Sequence, residues 1–335
     1  MRLRPYFFSK VRPIKGHMSK KPAGPLSPLA RFLLMAFIAL CMVFTSGVAA
    51  LKFYPGLALL PVIQHVKASP YCPVWRSVAD ARIKIVQADY QKEIGAQSHV
   101  VRKDGPYKLW STPAGEYWVP DTSDNILSIL LAQQKRKIYG DAASGGVRKG
   151  DIVLDGGAHV GTYVKTALDA GAEKIVAIEP SPEALECLRR NFAKEIAAGK
   201  VIVYPKGIWD EEKHLVFYAN GNGAAGDSFV SKGADARVIA DIPVTTVDKI
   251  VKELNLPRVD IIKADIKGAG TRMIKGGAGT IRAYHPRIVI SVEEEPEDPA
   301  EIHAAVMSIA PSYHFRPGPC EFGDGEIRND TIFFE

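Results

Sequence analysis

Asp151–Gly161 reads DIVLDGGAHVG, and Lys174–Pro180, a short distance on, reads KIVAIEP. The first run is a β-branched strand that delivers Asp155 to its carboxyl end, where Gly157 and Gly161 let the backbone turn tightly and a helix begins near Thr162. The second is another apolar strand, ending in Glu179, where an acidic side chain can accept hydrogen bonds from both hydroxyls of a ribose held at the switch point of an open parallel sheet. Strand, glycine turn, helix, strand and acid in this order predict a nucleotide-type cradle. A dinucleotide site requires GxGxxG, because the pyrophosphate approaches the backbone at the middle glycine and rests on the helix N-terminus. Here the glycines fall at Gly156, Gly157 and Gly161, so that pattern is absent.

The spacing that is present, DxGxxxG with Asp155 in front, is the form of S-adenosylmethionine (SAM) sites, where the turn packs against the amino-acid part of the ligand. An ordinary strand-turn-helix would also use glycine here; Glu179 at the end of the next strand tips the reading towards a cofactor. Downstream, Thr245–Ile250 (TTVDKI) precedes Val259–Ala269 (VDIIKADIKGA), and the pair resembles the "TLD" and "DxIKxDVEGAE" blocks of the FkbM-type SAM-dependent methyltransferases. Pro286–Val292 with Pro296–Asp298, the terminal Asp330–Phe334, and Gly115–Pro120 (GEYWVP) resemble other segments of that family, so the likeness runs from about Leu109 to Glu335. It implies a Rossmann-like class I methyltransferase sheet, an α/β fold mostly parallel with an antiparallel last hairpin and helices on both faces. Its cofactor would be SAM, and its chemistry O-methylation of a sugar or small metabolite.

Carried onto this chain, the resemblance and the glycine turn give cofactor-binding candidates Asp155, Gly156, Gly157, Ala158, Gly161 and Glu179, with Gly207 and Ile208 walling the adenine. Asp265 is the catalytic candidate, facing donor and acceptor from the end of the fourth core strand; capping the next turn is an equal alternative. The chain departs from the family pattern where Lys267 and Gly270 stand in place of two glutamates, and where Glu293–Glu295 replaces a Tyr-His pair. These changes raise a second reading, a SAM-binding module with lost or altered catalysis. An NAD-type oxidoreductase is disfavoured by the missing GxGxxG. Lys263 and Lys267 read as solvated charges, His159 as the filling of a variable turn position, and no His, Cys and carboxylate cluster shows metal-ligand spacing. The stretch Ala219–Ser228 is glycine-rich enough to serve as a lid or as a plain hairpin loop.

Net charge is +6, which would suggest nucleic acid were it spread over the chain. Instead Arg2, Arg4, Lys10, Arg12, Lys15, Lys20, Lys21 and Arg31 all precede the first apolar block, and no acid accompanies them, so no nucleic-acid partner is expected. Phe32–Leu51 (FLLMAFIALCMVFTSGVAAL) carries no charge and has the length of a membrane-spanning helix. Basic residues before it place the N-terminus in the cytoplasm of a single-pass membrane protein; an N-in span would put the catalytic domain on the far side, away from the compartment that makes SAM, so a lumen supplied with SAM, an inverted topology and a non-spanning segment all stay open. A cleaved signal peptide is the rival reading, favoured less because the apolar block exceeds a usual h-region. The expected layout is a basic tail over 1–31, an anchor over 32–51, a collar over 52–107 with a helix from Val74 to Ile94, and a methyltransferase domain over 108–335. The expected partners are a small-molecule or glycan acceptor and the membrane. Cys41, Cys72, Cys187 and Cys320 lack the close spacing of a metal clip or disulfide framework.

Overall fold

A computed structural model describes residues 28–53, 67–123, 126–219, 227–229, 237–292, 299–323 and 326–335. It divides into two compact units, residues 1–50 and 51–335.

In the first unit a helix begins at Pro28 and runs to Phe53. Phe32, Leu33, Met35, Phe37, Ile38, Leu40, Met42, Val43 and Phe44 on it are exposed. No helix among the described residues is long and apolar enough to cross a membrane, so the transmembrane helix expected over 32–51 is not found.

The second unit begins with β1 (Lys67–Ala68) and the helices Val74–Asp80 and Arg82–Ala96, where the sequence suggested a single helix. An antiparallel sheet follows, β2 (His99–Asp104), β3 (Tyr107–Thr112) and β4 (Gly115–Pro120), the first two joined by a turn at Gly105 and Pro106. The helix Ile126–Arg136 leads into the core elements. These are β5 (Ile152–Gly156), the helix Thr162–Asp169, β6 (Lys174–Ile178), the helices Pro182–Asn191 and Ala193–Ala197, and β7 (Val201–Tyr204). An inserted sheet comes next, β8 (Gly207–Ile208), β9 (Lys213–Ala219) and β10 (Arg237–Thr245), and the helix Val247–Glu253 returns the chain to the core. There lie β11 (Ile261–Ala264), the helices Gly270–Gly276 and Ala278–Tyr284, β12 (Arg287–Ser291), the helix Pro299–Ile309 and β13 (Phe315–Pro317). The chain closes with β14 (Cys320–Gly323), β15 (Glu326–Asn329) and β16 (Thr331–Phe334).

The central sheet has the order β13-β16-β12-β11-β5-β6-β7. All its pairs are parallel except those of β16, which runs antiparallel to β12 and β13. This is the mixed α/β sheet that the sequence predicts. Its strands alternate by the period of two. Ile152, Leu154, Ile262, Ala264, Ile288 and Ile290 pack on one face with Val247, Ile250, Met273, Ile281 and Ile302. Val153, Ile261, Val289 and Phe333 pack on the other with Tyr139, Tyr163, Val164, Leu188 and Phe192. Apolar surface is therefore removed from water on both sides, the arrangement that keeps a parallel sheet stable. From β5 the chain moves outward to β6 and β7, then crosses back to β11 and β12, so strand order reverses between β5 and β11. Ligands of such sheets bind beyond the carboxyl ends of the strands at that reversal.

Cys72 and Cys320 form a disulfide, their Cα atoms 5.7 Å apart. Sequence spacing gave no hint of it, because the partners are 248 residues apart and meet only when β1 joins β15. Among the described residues no group of His, Cys, Asp and Glu is arranged to hold a metal ion.

Candidate functional site

β5 and β6 place the glycine turn. Gly157 N and Ala158 N both donate to Ile178 O, at 3.0 and 3.1 Å, lashing the turn to the end of β6. Gly157 adopts φ +71°, and a Cβ there would lie 2.0 Å from the carbonyl oxygen of Asp265, so only glycine lets the turn and the segment after β11 come this close. His159 follows with φ +49°, and its amide donates to Glu179 Oε2 at 2.8 Å. Glu179 Oε1 accepts from Ser181 N at 2.8 Å. The acid is thus aimed by two backbone amides. Burial pushes its pKa up to about 7, and those two amides oppose the shift without cancelling it.

A cleft of about 650 Å³, counted with its open mouth, lies at this edge of the sheet. Gly157, Glu179, Gly207, Ile208 and Asp265, five of the nine residues expected at the site, line it. Apolar wall comes from Ile178, Phe217, Phe229 and Ile266, the rings of Phe217 and Phe229 meeting at 4.6 Å. Gly207 matters sterically, since a Cβ there would meet the Phe229 ring at 2.4 Å.

Asp265 sits just past β11. Tyr139 OH donates to its Oδ2 at 2.9 Å, and Lys267 Nζ stands 3.4 Å from its Oδ1. Burial would raise its pKa, but Lys267, Lys263 and the tyrosine hydroxyl together outweigh that and hold the carboxyl below its ordinary range. The turn that carries these groups is tight: Lys267 has φ +40° and Gly268 φ +85°, and Ser228 Oγ donates to Lys267 O at 3.1 Å.

The other four expected residues do not line the cleft. Asp155 is wholly buried. The strand period puts it with Val153 on the face covered by Tyr163, where its Oδ1 pairs with Lys263 Nζ at 2.9 Å. Its pKa is raised by burial, against the pull of Lys263. Gly156 abuts Ile208 from beneath, Ala158 is buried in the core, and Gly161, at φ +93°, starts the next helix against Phe192. Gly156, Ala158 and Gly161 shape the turn from below.

Three side chains are placed otherwise than the sequence predicts. Lys263, expected in solvent, is 3% exposed. His159 and Lys267 line the cleft, as do Lys206, Asp227 and Ser228 from the inserted sheet and its surroundings. The rest of the expected lid, 220–226, and the carboxylate run at Glu293–Glu295 lie outside the described residues.

The family of the Methyltransferase FkbM domain matches residues 155–317, from the glycine turn to β13. The FkbM methyltransferase family is thus supported for this stretch, just under half of the chain. Among solved structures it is similar to the methyltransferase FkbM of Methylobacillus flagellatus KT, at 17% identity over 78% of this chain and 62% of that one, with a TM-score of 0.42. It is also similar to Streptococcus pneumoniae Sp1610, solved in complex with S-adenosyl-L-methionine, at 14% identity over 56% of this chain and 67% of that one, TM-score 0.33. A third is the precorrin-6y C5,15-methyltransferase of Geobacter metallireducens GS-15, at 13% identity over 56% and 78%, TM-score 0.31. The chain spans less than two thirds of the length of the first of these. No curated protein matches it.

SAM is the cofactor of a methyltransferase of this kind. The site fits it: Glu179 offers carboxylate oxygens for a vicinal diol, Ile178, Ile208, Phe217 and Phe229 offer apolar surface for a purine, and Asp265 offers negative charge for a cation. Glycine at 157 and 207 keeps the walls in contact where a side chain would force them apart.

Proposed function

We propose that this protein is an FkbM-type methyltransferase, anchored in a membrane, that methylates a hydroxyl of a sugar or another small metabolite. The carrying observation is that Gly157, Glu179, Gly207, Ile208 and Asp265, drawn from four separate segments, line one cleft at the point where strand order reverses. Bound SAM supplies an electrophilic methyl group. The protein's part is alignment and charge placement. Glu179 fixes the ribose, the Gly157 turn receives the amino-acid portion, and Gly207–Ile208 with the two phenylalanines encloses the adenine. Asp265 stays ionised at neutral pH, so it accepts a hydrogen bond from the acceptor hydroxyl and takes its proton as the oxygen loses electron density. Tyr139 holds the carboxylate in place throughout.

Anchoring is supported by the exposed apolar side chains of the helix Pro28–Phe53 and by the basic, acid-free segment before it. The Cys72–Cys320 bond supports a catalytic domain that resides in an oxidising compartment, the side on which an N-in single span would leave it.

One observation favours a second reading. Lys267 neutralises Asp265 at the mouth of the site, which suits a SAM-binding module without transfer. Calorimetric titration with SAM and NAD, followed by assay of S-adenosylhomocysteine release over an acceptor panel, separates the readings. SAM binding with release supports the enzyme, binding without release over the whole panel supports the module, and preferential NAD binding removes both.

A further inference from the structure

Lys263 is an unexpected residue in β11, whose other members, Ile261, Ile262 and Ala264, are apolar and buried. A lysine is almost never fully buried without partners, and this one has several. It stands opposite Asp155 in the parallel register of β11 and β5, the two strands flanking the reversal of strand order. Its ammonium lies 2.9 Å from Asp155 Oδ1, 3.0 Å from Gly157 O and 3.3 Å from Gly156 O. The rings of Tyr139 and Tyr163 lie 5.1 and 5.5 Å away, within cation–π range.

Only one member of the ion pair therefore touches the glycine turn. Asp155 contacts the ammonium, while the ammonium grips two successive carbonyls of the turn. From above, the same turn is tied by Gly157 N and Ala158 N to Ile178 O and by His159 N to Glu179. If the carbonyls were released below, the amides above would lose their fixed direction, and with them the aim of Glu179. We propose that Lys263 is a positioning residue for the cofactor: it clamps the Gly156–Gly157 carbonyls and so holds both the turn and Glu179 in their binding geometry, while Asp155 serves only to neutralise the lysine. This rests on the SAM site proposed above, and it reverses the sequence expectation that Asp155 is the residue meeting the ligand.

A buried ion pair that only stabilises the fold makes its two members equivalent. A clamp does not. The test compares full-length wild type, Asp155→Asn, Lys263→Met and the double variant carrying both changes, in detergent micelles, by SAM calorimetry and by hydrogen exchange of the ligand-free proteins. Asp155→Asn is expected to lose thermal stability yet bind SAM within about threefold of wild type. Lys263→Met is expected to weaken SAM by about tenfold or more, the scale of one charged hydrogen bond. Exchange at Gly157, Ala158 and His159 should quicken in Lys263→Met relative to amides in β11, and not in Asp155→Asn. Should Lys263→Met fail to fold, the double variant, which has no buried charge left unpaired, decides by the same two measurements. Equal loss of affinity in Asp155→Asn and Lys263→Met, or wild-type affinity in the double variant, overturns the proposal. If wild type does not bind SAM, the functional reading fails, and the exchange pattern alone supports or overturns the clamp.

Discussion

Glu179 shows how one residue couples the cradle to pH. Its folded pKa, about 7, lies above its ordinary value because of burial, so at neutral pH it is close to half ionised. A diol donates better to a carboxylate than to a carboxylic acid, and the sulfonium is attracted by the negative charge, so SAM selects the ionised form and releases a proton on binding. SAM affinity should therefore rise between pH 6 and pH 8, with a binding enthalpy that depends on the buffer, and Glu179→Gln should remove both effects. The sign for stability is opposite. A raised carboxyl pKa contributes stability that is complete below the unfolded value of about 4.5 and is lost as pH rises through about 7. Ligand-free protein should thus lose melting temperature over that interval, less so in Glu179→Gln; an unchanged SAM affinity across the range would separate Glu179 from the ligand. Glu179→Ala should weaken SAM by about 1–3 kcal/mol if a charged hydrogen bond is lost. Gly157→Ala tests the turn. It combines a left-handed φ with a Cβ 2.0 Å from a backbone oxygen, and should lower stability by about 1–3 kcal/mol while abolishing detectable SAM binding.

At the scale of elements, Asn191 joins three of them. Its Oδ1 accepts from Trp118 N at 2.6 Å, and its Nδ2 donates to Trp118 O at 3.1 Å and to Val160 O at 2.9 Å. β4 is thereby fixed to the helix Pro182–Asn191 and to the glycine turn. Asn191→Ala would leave these backbone groups short of partners and should cost about 1–3 kcal/mol, measured by urea unfolding; a loss below about 0.5 kcal/mol would mean that water replaces the side chain. Elements built from β-branched runs, such as β6 and β7, were readable at their boundaries, because period and turn residues agree there. The helices Gly270–Gly276 and Ala278–Tyr284 were not. Gly270, Gly276, Gly277 and Gly279 oppose helix formation locally, and packing decides instead: a Cβ at Gly276 would strike Trp209 O at 2.2 Å. The site was legible where strand order fixes a position, as at Glu179, Gly207 and Asp265. It was illegible where a side chain had two faces to choose from. Nothing in DIVLDGG says that Asp155 turns inward, and nothing in IIKAD says that Lys263 follows it.

Across the whole second unit, the bond between Cys72 and Cys320 closes a loop holding nearly all of the α/β core, with a separation of 248 residues. Most of its effect falls on the unfolded chain, since a loop of that length removes much conformational freedom when cross-linked. Ion pairs reinforce the same junction: Lys84 binds Glu321 at 2.7 Å, and Arg136 binds Glu321 at 3.0 Å and Asp330 at 2.9 Å. Reduction should therefore lower stability by about 2–5 kcal/mol without removing the core sheet, whose strands do not include either cysteine. Cys72→Ser with Cys320→Ser should match reduced wild type and no longer respond to reductant. Cys187 supplies an internal control, because it is buried in the core and burial pushes its thiol up to about 12, so alkylation under native conditions should miss it. A wild-type melting temperature indifferent to reductant would show that packing and ion pairs alone hold the collar to the C-terminal strands, and would withdraw the support this bond lends to an oxidising location. If the bond persists in cells, the domain works where thiols are oxidised, and SAM must reach it there; intact cells labelled with a membrane-permeant maleimide should then modify Cys72 and Cys320 only after reductant is added.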